Sequence, residues 1–326
     1  MRLQELGEFG LIDRIAGRVP RTAGVRIGIG DDAAALEPSS GCVTLATSDM
    51  LLEEVHFDLD LCDPRTLGRK SLSVNLSDIA AMGGLPRHCL LSLAVPQGMA
   101  VEFLDGFITG FLERADEFGV ALVGGDTCAS RGGLVVSVTV LGEQRPDMVV
   151  PRSGARRGDL IFVTGTLGDS ALGLRLLRSG EREGEAVLRQ LDPAPRVREG
   201  LALAEAGIPT AMIDVSDGLL ADLGHILDLS GVGARLELAR LPLSPVFASR
   251  MSALPEDPFL LPLAGGEDYE LLFTAPPERK DAAMAALATL GTRLTVIGEI
   301  TDAGVRVVAP DGSDYPAAVR GYNHFA

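Results

Sequence analysis

The sequence predicts an α/β (α+β) protein built as two mixed domains, and three observations predict it. The chain has 326 residues, more than one core usually serves and enough for two domains of ordinary size. Apolar runs of strand length alternate with longer helical runs in both halves. Between the halves, the segment Gly142–Gly158 is polar and carries Pro146 and Pro151, which places a junction there. The domains are therefore expected at residues 1–145 and 146–326.

Residues 1–19 read as a short helix with Leu3, Leu6, Leu11 and Ile15 on one side. Strands are expected at Val25–Ile29, Cys42–Ser48, Val120–Val123 and Leu134–Leu141, where apolar residues cluster. Helices are expected at Pro64–Met82 and Val101–Phe118. Past the junction, strands at Asp159–Thr164, Thr210–Val215, Glu270–Ala275 and Thr295–Ile300 alternate with helices at Asp169–Leu177, Gly218–Leu229 and Lys280–Leu290. Roughly the last twenty residues read as a tail. No solenoid-type repeat is evident.

Apolar residues make up 46% of the chain and aromatics 4%, with no Trp, so the cores must be built from Leu, Val, Ile and Ala. The formal net charge is −16 and no Lys/Arg run appears, which excludes nucleic acid as a partner. No window offers the ~20 apolar residues of a membrane span. The N-terminal stretch carries acids and lacks the apolar core of a signal peptide. Cys42, Cys62, Cys89 and Cys128 form no CxxC pair, so they read as reduced thiols in a cytosolic protein.

Acidity alone does not explain where the carboxylates fall. Six segments put them at strand ends or turns: GIGDDAA (28–34), ATSDMLLEEVHF (46–57), NLSDIAAMG (75–83), VGGDT (123–127), IDVSDGLLADLG (213–224) and GGEDYELLF (265–273). They carry Asp31, Asp32, Asp49, Asp78, Asp126, Asp214, Asp217, Glu267 and Asp268. One such Asp is an ordinary capping or turn residue. Six turns together are harder to dismiss, because converging carboxylates repel and need a counter-charge. Oxygen ligands without a His/Cys cluster point to Mg²⁺ or Mn²⁺, with substrate phosphates completing the coordination.

Local geometry agrees. Thr47 and Asp49 lie two apart on a strand and share a face. Ser71, Asn75 and Asp78 share a helix face. The run strand–Ser216–Asp217–Gly218–helix is expected to expose backbone N–H groups as a phosphate seat. Gly165–Ser170 (GTLGDS) also follows a strand and opens a helix, where either phosphate contact or close packing accounts for the glycines.

Other phosphate and nucleophile chemistries fit poorly. No GxxxxGK[ST] exists, and Pro38–Gly41 interrupts the helix that a dinucleotide site would need after Gly28–Ala33. His56, His88, His225 and His324 show no metal spacing, and no Ser-His-Asp order stands out. No residue reads as a covalent nucleophile, which suits direct phosphoryl transfer. His56 is the histidine best placed as a ligand contact.

Taken in order, the segments GEFGLIDRI (7–15), IGDDAA, TSDMLLEEVHF, KSLSVNLSDIAAMGG, GGDT, PRSGARRGD (151–159), VTGTLGDSA, IDVSDGL, GGEDYELLF and RGYNHFA (320–326) resemble the thiamine-monophosphate kinase family. That family belongs to the superfamily of aminoimidazole ribonucleotide synthetase. The resemblance implies ATP-dependent phosphorylation of thiamine monophosphate, assisted by several Mg²⁺ ions. It places Asp32, Thr47, Ser48, Asp49, Asp78, Asp126, Asp214 and Asp217 at metal positions and makes Asp49 and Asp217 the most critical of them. Gly125, Asp126, Arg152 and Ser216 fall at ATP positions, and His56, Glu267 and Tyr322 at positions contacting thiamine phosphate. It makes residues 1–145 the ATP/Mg-binding and dimerisation domain, and residues 146–326 an α/β domain with a substrate-contacting tail. It also implies a cytoplasmic homodimer whose N-terminal sheets pair across the two-fold. Two departures are mild: Thr-Ser-Asp-Met stands where Ser-Thr-Asp-Thr is common, and Asn323 where the tail often has Asp.

Rival members of the superfamily want features this chain lacks. A selenophosphate synthetase wants a reactive N-terminal Cys, and none of the first 41 residues is Cys. A hydrogenase-maturation relative wants a C-terminal Cys, and the chain ends in Ala326. The GGEDYELLF and GYNHF segments argue against an aminoimidazole ribonucleotide synthetase. A catalytically dead scaffold would not need to keep clustered carboxylates, which are costly to hold together.

Overall fold

A computed structural model describes residues 3–20 and 22–316. Its contacts sort the chain into two units, Met1–Ile79 with Leu85–Pro146, and Ala80–Gly84 with Asp147–Ala326.

The first unit runs α1 (Leu3–Ala16), β1 (Val25–Ile27), β2 (Ala35–Leu36), β3 (Val43–Leu52), α2 (Pro64–Ala81), β4 (Leu85–Pro96), α3 (Val101–Phe118), β5 (Ala121–Ser130) and β6 (Val135–Gln144). Four strands form one sheet in the order β3-β6-β4-β5. β3 and β6 pair antiparallel from Val43–Gln144 to Leu52–Val135. β4 and β5 are parallel, and α3 makes the crossover that parallel neighbours require. α2 buries Leu67, Leu72, Leu76 and Ile79, while α3 buries Leu104, Phe107 and Phe111. α3 starts and stops where its periodicity does, and Gly119 closes it in the left-handed conformation.

β4 is absent from the sequence reading. Its residues LPRHCLLSLAVP alternate buried and less buried positions almost throughout. The alternation is hidden because Leu90 and Ala94 on the less buried face are also apolar. Only pairing with β5 and β6 separates the two faces.

The second unit continues with β7 (Leu160–Thr164), α4 (Asp169–Arg178), α5 (Glu185–Leu191), α6 (Val197–Glu205), β8 (Ala211–Asp214), α7 (Leu219–Ser230), β9 (Gly233–Glu237), α8 (Pro245–Arg250), α9 (Leu260–Ala264), β10 (Leu271–Ala275), α10 (Lys280–Ala288), β11 (Leu294–Thr301), β12 (Val305–Val308) and β13 (Asp314–Tyr315). Its seven strands are ordered β13-β12-β9-β11-β7-β10-β8. All of these pairs are antiparallel except β9–β12. The fold is thus mixed α+β in strand sense, and α/β only in the alternation of elements.

One core packs Ile161, Val163, Ile213, Leu223, Ile226, Leu263 and Leu272 together. Phe162 and Phe273 are cross-strand partners, and their rings stack at 4.9 Å. The expected C-terminal tail is shorter than the sequence suggested, because β12 and β13 carry sheet structure to Tyr315. β12 is held by β9, which has no sequence signal of its own beyond five residues, GARLE.

Candidate functional site

The acidic segments gather at two places, one in each unit. In the first unit, β3 carries Thr47, Ser48 and Asp49, and α2 carries Asn75 and Asp78. The Thr47 hydroxyl donates to Asp78. The Asp49 backbone N–H donates to the buried Asn75 side-chain oxygen at 3.0 Å. Asn75 therefore pins the strand where Asp49 projects. Ser48 Oγ shares a hydrogen bond with Thr139 Oγ1 at 2.9 Å across the β3–β6 ladder. Burial first, and then the neighbouring Asp78, push the Asp49 carboxyl up to about 6.

β5 brings a third acid to the rim of the same sheet. Its ladder with β4 skips Val123, passing from Cys89–Leu122 to Leu90–Gly124. Gly125 follows at φ +154, and a Cβ there would lie 1.8 Å from the Leu91 carbonyl oxygen. Only glycine lets the two backbones approach this closely. Beyond it, Asp126 is exposed. Asp32 is also exposed, beside Asp31, whose side chain accepts from the Asp32 N–H at 2.9 Å. His56 lies in the turn after β3, where its Nδ1 accepts the Leu52 N–H at 3.0 Å. That bond puts the proton of neutral His56 on Nε2.

In the second unit, Asp214 ends β8 and is 2% exposed. Ser216 and Asp217 follow, half-buried, ahead of α7. The expected phosphate seat at this turn is already filled. The N–H groups of Ser216, Asp217 and Gly218 all donate to Asp222 Oδ2, at 3.0, 3.0 and 3.1 Å. Asp222, in the first turn of α7, thus takes the place a phosphate oxygen would occupy. Burial first, and then Asp217, push its carboxyl up to about 7.

The GTLGDS turn is filled in the same way. Gly168 and Ser170 donate their N–H groups to Asp268, at 2.7 and 3.3 Å. A Cβ on Gly165 would lie 2.0 Å from Glu270 Oε1, so packing accounts for that glycine. Both helix starts that looked ready for phosphate therefore hold an internal carboxylate. The segment 265–270 is laced to the Asp214 turn, because Glu267 N–H donates to Ser216 O at 2.7 Å and Tyr269 N–H to Val215 O at 2.9 Å. Arg152 is exposed ahead of β7.

The sequence matches the AIR synthase related protein family twice, its N-terminal domain over residues 30–144 and its C-terminal domain over residues 156–309. Thiamine-monophosphate kinase of Escherichia coli (strain K12) is 39% identical over 328 aligned residues, covering 98% of each chain. The structure of thiamine-monophosphate kinase from Stenotrophomonas maltophilia K279a superposes with a TM-score of 0.83 at 40% identity, covering 94% of this chain and 96% of that one. The structure of AaThiL complexed with AMPPCP and TMP superposes with a TM-score of 0.78 at 37% identity, covering 100% of this chain and 99% of that one. This chain belongs to the thiamine-monophosphate kinase family.

Of the metal positions that membership in the thiamine-monophosphate kinase family suggests, the structure brings Thr47, Asp49 and Asp78 into one cluster. In the other unit it sets Ser216 and Asp217 on one turn, just past Asp214 at the end of β8. Among the described residues no three His, Cys, Asp or Glu side chains group closely enough to hold a metal by themselves. The donor set still fits a hard cation. It is all oxygen, and the proton affinity that Asp49 gains from burial and Asp78 is the strain a divalent ion would relieve. Tyr322 lies outside the described residues. Three residues escaped the sequence reading: Gln190, Arg196 and Asp222. Asp222 had a legible signal, an acid in the first turn of a helix after Ser-Asp-Gly. The other two sit on α5 and just before α6, short helices with no motif.

Proposed function

We propose that this chain transfers the γ-phosphoryl group of ATP to the phosphate of thiamine monophosphate, giving thiamine diphosphate and ADP. One observation carries the reading: a structure bound to AMPPCP and TMP aligns over the whole chain at 37% identity. Full-length identity of 39% to a thiamine-monophosphate kinase supports it.

The chemistry is direct. A phosphate oxygen of thiamine monophosphate attacks the γ-phosphorus, and the bond to the ADP oxygen breaks in line. Mg²⁺ is the proposed cofactor, with Asp32, Thr47, Ser48, Asp49, Asp78, Asp126, Asp214 and Asp217 as its protein ligands. When bound, the ions neutralise phosphate charge and so stabilise the charge that spreads over the transferring group. The filled helix starts favour this reading. Asp222 and Asp268 occupy the N–H groups at these helix starts, so anionic substrates need cations instead. Asn75 and the β3–β6 ladder hold the Asp49 stretch rigid, which keeps its oxygens in place. Gly125, Asp126, Arg152 and Ser216 are proposed to contact ATP, and Arg152 can grip a phosphate bidentately. His56, Glu267 and Tyr322 are proposed to contact the acceptor. In neutral His56 the bond from Leu52 turns Nδ1 into an acceptor and makes Nε2–H the ring's donor.

The proposed assembly is a cytoplasmic homodimer. β3 is an edge strand, and Val43 and Met50 on it are 41% and 55% exposed. Those side chains support pairing of N-terminal sheets between two copies. Among the described residues no helix is long and apolar enough to cross a membrane.

The test is an initial-rate study with both substrates varied. Direct transfer requires a ternary complex and intersecting lines in reciprocal plots. Ping-pong kinetics, or a phosphoenzyme trapped after ATP without acceptor, would refute direct transfer. No ADP formed with thiamine monophosphate, against turnover with another phosphorylated acceptor, would refute the substrate assignment.

A further inference from the structure

We propose that Gln190 is a positioning residue that sets Glu267 for the phosphate acceptor. The inference rests on the reading of Glu267 as an acceptor contact and deepens it.

The backbone around Glu267 is held in a conformation it would not choose. Gly266, Glu267 and Tyr269 all have positive φ, at +69, +57 and +50. Non-glycine residues enter this region rarely, and usually where the surroundings over-determine them. Here the surroundings are visible. Glu267 N–H and Tyr269 N–H are bound to the Ser216 and Val215 carbonyls. Asp268, between them, takes the N–H groups of Gly168 and Ser170 at the start of α4. These bonds fix where the Glu267 Cα sits, but they leave its side-chain rotors open.

Gln190 closes that freedom. It comes from α5, is 5% exposed, and donates its amide Nε2 to Glu267 Oε2 at 2.7 Å. Its other end is fixed too, since Gln190 Oε1 accepts the Ser170 hydroxyl. A carboxylate can only accept, so the amide has one orientation that satisfies both partners. Ser170 is the shared anchor: its N–H holds Asp268 and its hydroxyl holds the amide that holds Glu267. Gln190 cannot retreat from this position. A Cβ on Gly173 of α4 would lie 2.0 Å from the Ala186 carbonyl oxygen of α5 and 3.1 Å from the Gln190 Cβ, so the two helices are in backbone contact.

The choice of partner has a chemical sense. Three residues on, Glu270 is gripped by a guanidinium, with Arg196 Nε and Nη2 at 2.6 and 2.5 Å, and is 2% exposed. Its charge is cancelled and it is structural. Glu267 takes at Oε2 an amide, which orients the carboxylate without adding a charge of its own. A carboxylate so held suits an acceptor that carries a cationic ring.

The experiment measures KM for thiamine monophosphate and for ATP in Gln190→Met, Ser170→Ala, Glu267→Gln and the double variant Gln190→Met/Glu267→Gln, alongside apo melting temperatures. Gln190→Met should raise KM for thiamine monophosphate about tenfold and leave KM for ATP within about twofold. The double variant should be no worse than its worse parent, because both changes remove one device. Gln190→Glu adds a pH signature. Two carboxylates at hydrogen-bond distance share one proton, so KM for the acceptor should climb more steeply with pH in this variant than in the wild type. If Gln190→Met proves too unstable to assay, Ser170→Ala loosens the same tether and should raise the same KM by a smaller factor. The proposal is overturned if Glu267→Gln raises KM for thiamine monophosphate while neither tether variant does, or if the effects of the double variant simply multiply. A Glu267→Gln variant with unchanged KM would instead overturn the acceptor role of Glu267, and the role of Gln190 with it.

Discussion

Removing Arg196 should unlock the second unit more than any other single charge change. Its guanidinium makes two bonds to Glu270, at 2.6 and 2.5 Å, and a longer one to Glu199 at 3.5 Å. Glu270 also accepts the Thr164 hydroxyl at 2.7 Å, and that oxygen in turn accepts the Leu271 N–H at 2.8 Å. Glu199 accepts from Thr292 at 2.6 Å. The network ties β7, α6, the start of β10 and the α10–β11 turn together. The Glu270 side chain is 2% exposed and that of Arg196 15%. Arg196→Met keeps the stem and deletes the charge. It leaves Glu270, and beside it the buried Glu199, without this cation, a change worth about 3–5 kcal/mol when one partner of a buried pair is removed. A unit of this size loses roughly 2–4 °C of melting temperature per kcal/mol, so the expected fall is roughly 6–20 °C.

The loss should depend on pH. Without Arg196, burial of the Glu270 side chain favours its neutral form over the charged one. A carboxyl of that kind contributes stability below its unfolded pKa and loses it as pH rises through the folded value. The deficit should therefore be smaller near pH 5 than near pH 8. Calorimetry of the apo protein at both values reads it directly. Replacing both partners, as Arg196→Met/Glu270→Leu, should recover most of the loss, since an apolar pair carries no desolvation cost. A single variant that loses less than about 1 kcal/mol at pH 8, or a double variant as unstable as the single, would refute the assignment of Arg196 as the counter-ion that makes burial of Glu270 tolerable.

Other outcomes follow from the same geometry. Gly125→Ala should destabilise the first unit by at least about 2 kcal/mol, because a Cβ would sit 1.8 Å from the Leu91 carbonyl oxygen and φ is +154; urea unfolding that matches wild type would show the strands are not so close. Asp49→Asn should abolish turnover yet leave the apo protein as stable as wild type or more so at about pH 8, because the carboxyl raised to about 6 by burial and Asp78 is charged there; a variant that loses activity by unfolding would point to a purely structural Asp49. Asp268, pushed up to about 8 by burial despite its two N–H donors, contributes stability that is full below about pH 4 and fades as pH rises to about 8; Asp268→Asn should flatten that slope between about pH 5 and about pH 7 in denaturant titrations. ATP with Mg²⁺ should raise the melting temperature, and ATP with a chelator should not; equal shifts in both would refute metal-dependent binding.

The sequence by itself determined the alternation of elements, the helices of strong period such as α3 and the short apolar strands such as β10. These are local properties. A helix with one apolar stripe, or a strand bounded by glycine and proline, carries its signal within ten or so residues. The motif set, read in order, also determined the family, because ten short segments in fixed order are far more specific than any one. What it could not determine was partnership. β4 and β9 show no clean alternation, and only their neighbours make them strands. Asp222 and Asp268 look like two more site acids in a row of them, yet the fold turns both inward onto backbone N–H groups. Glu267 and Glu270 stand three residues apart in one motif. Tertiary structure brings one an amide from α5 and the other a guanidinium from just before α6, 77 and 74 positions away in sequence. Charge on a side chain is written in its chemistry, but whether that charge is cancelled, oriented or spent on a helix end depends on what the chain brings beside it.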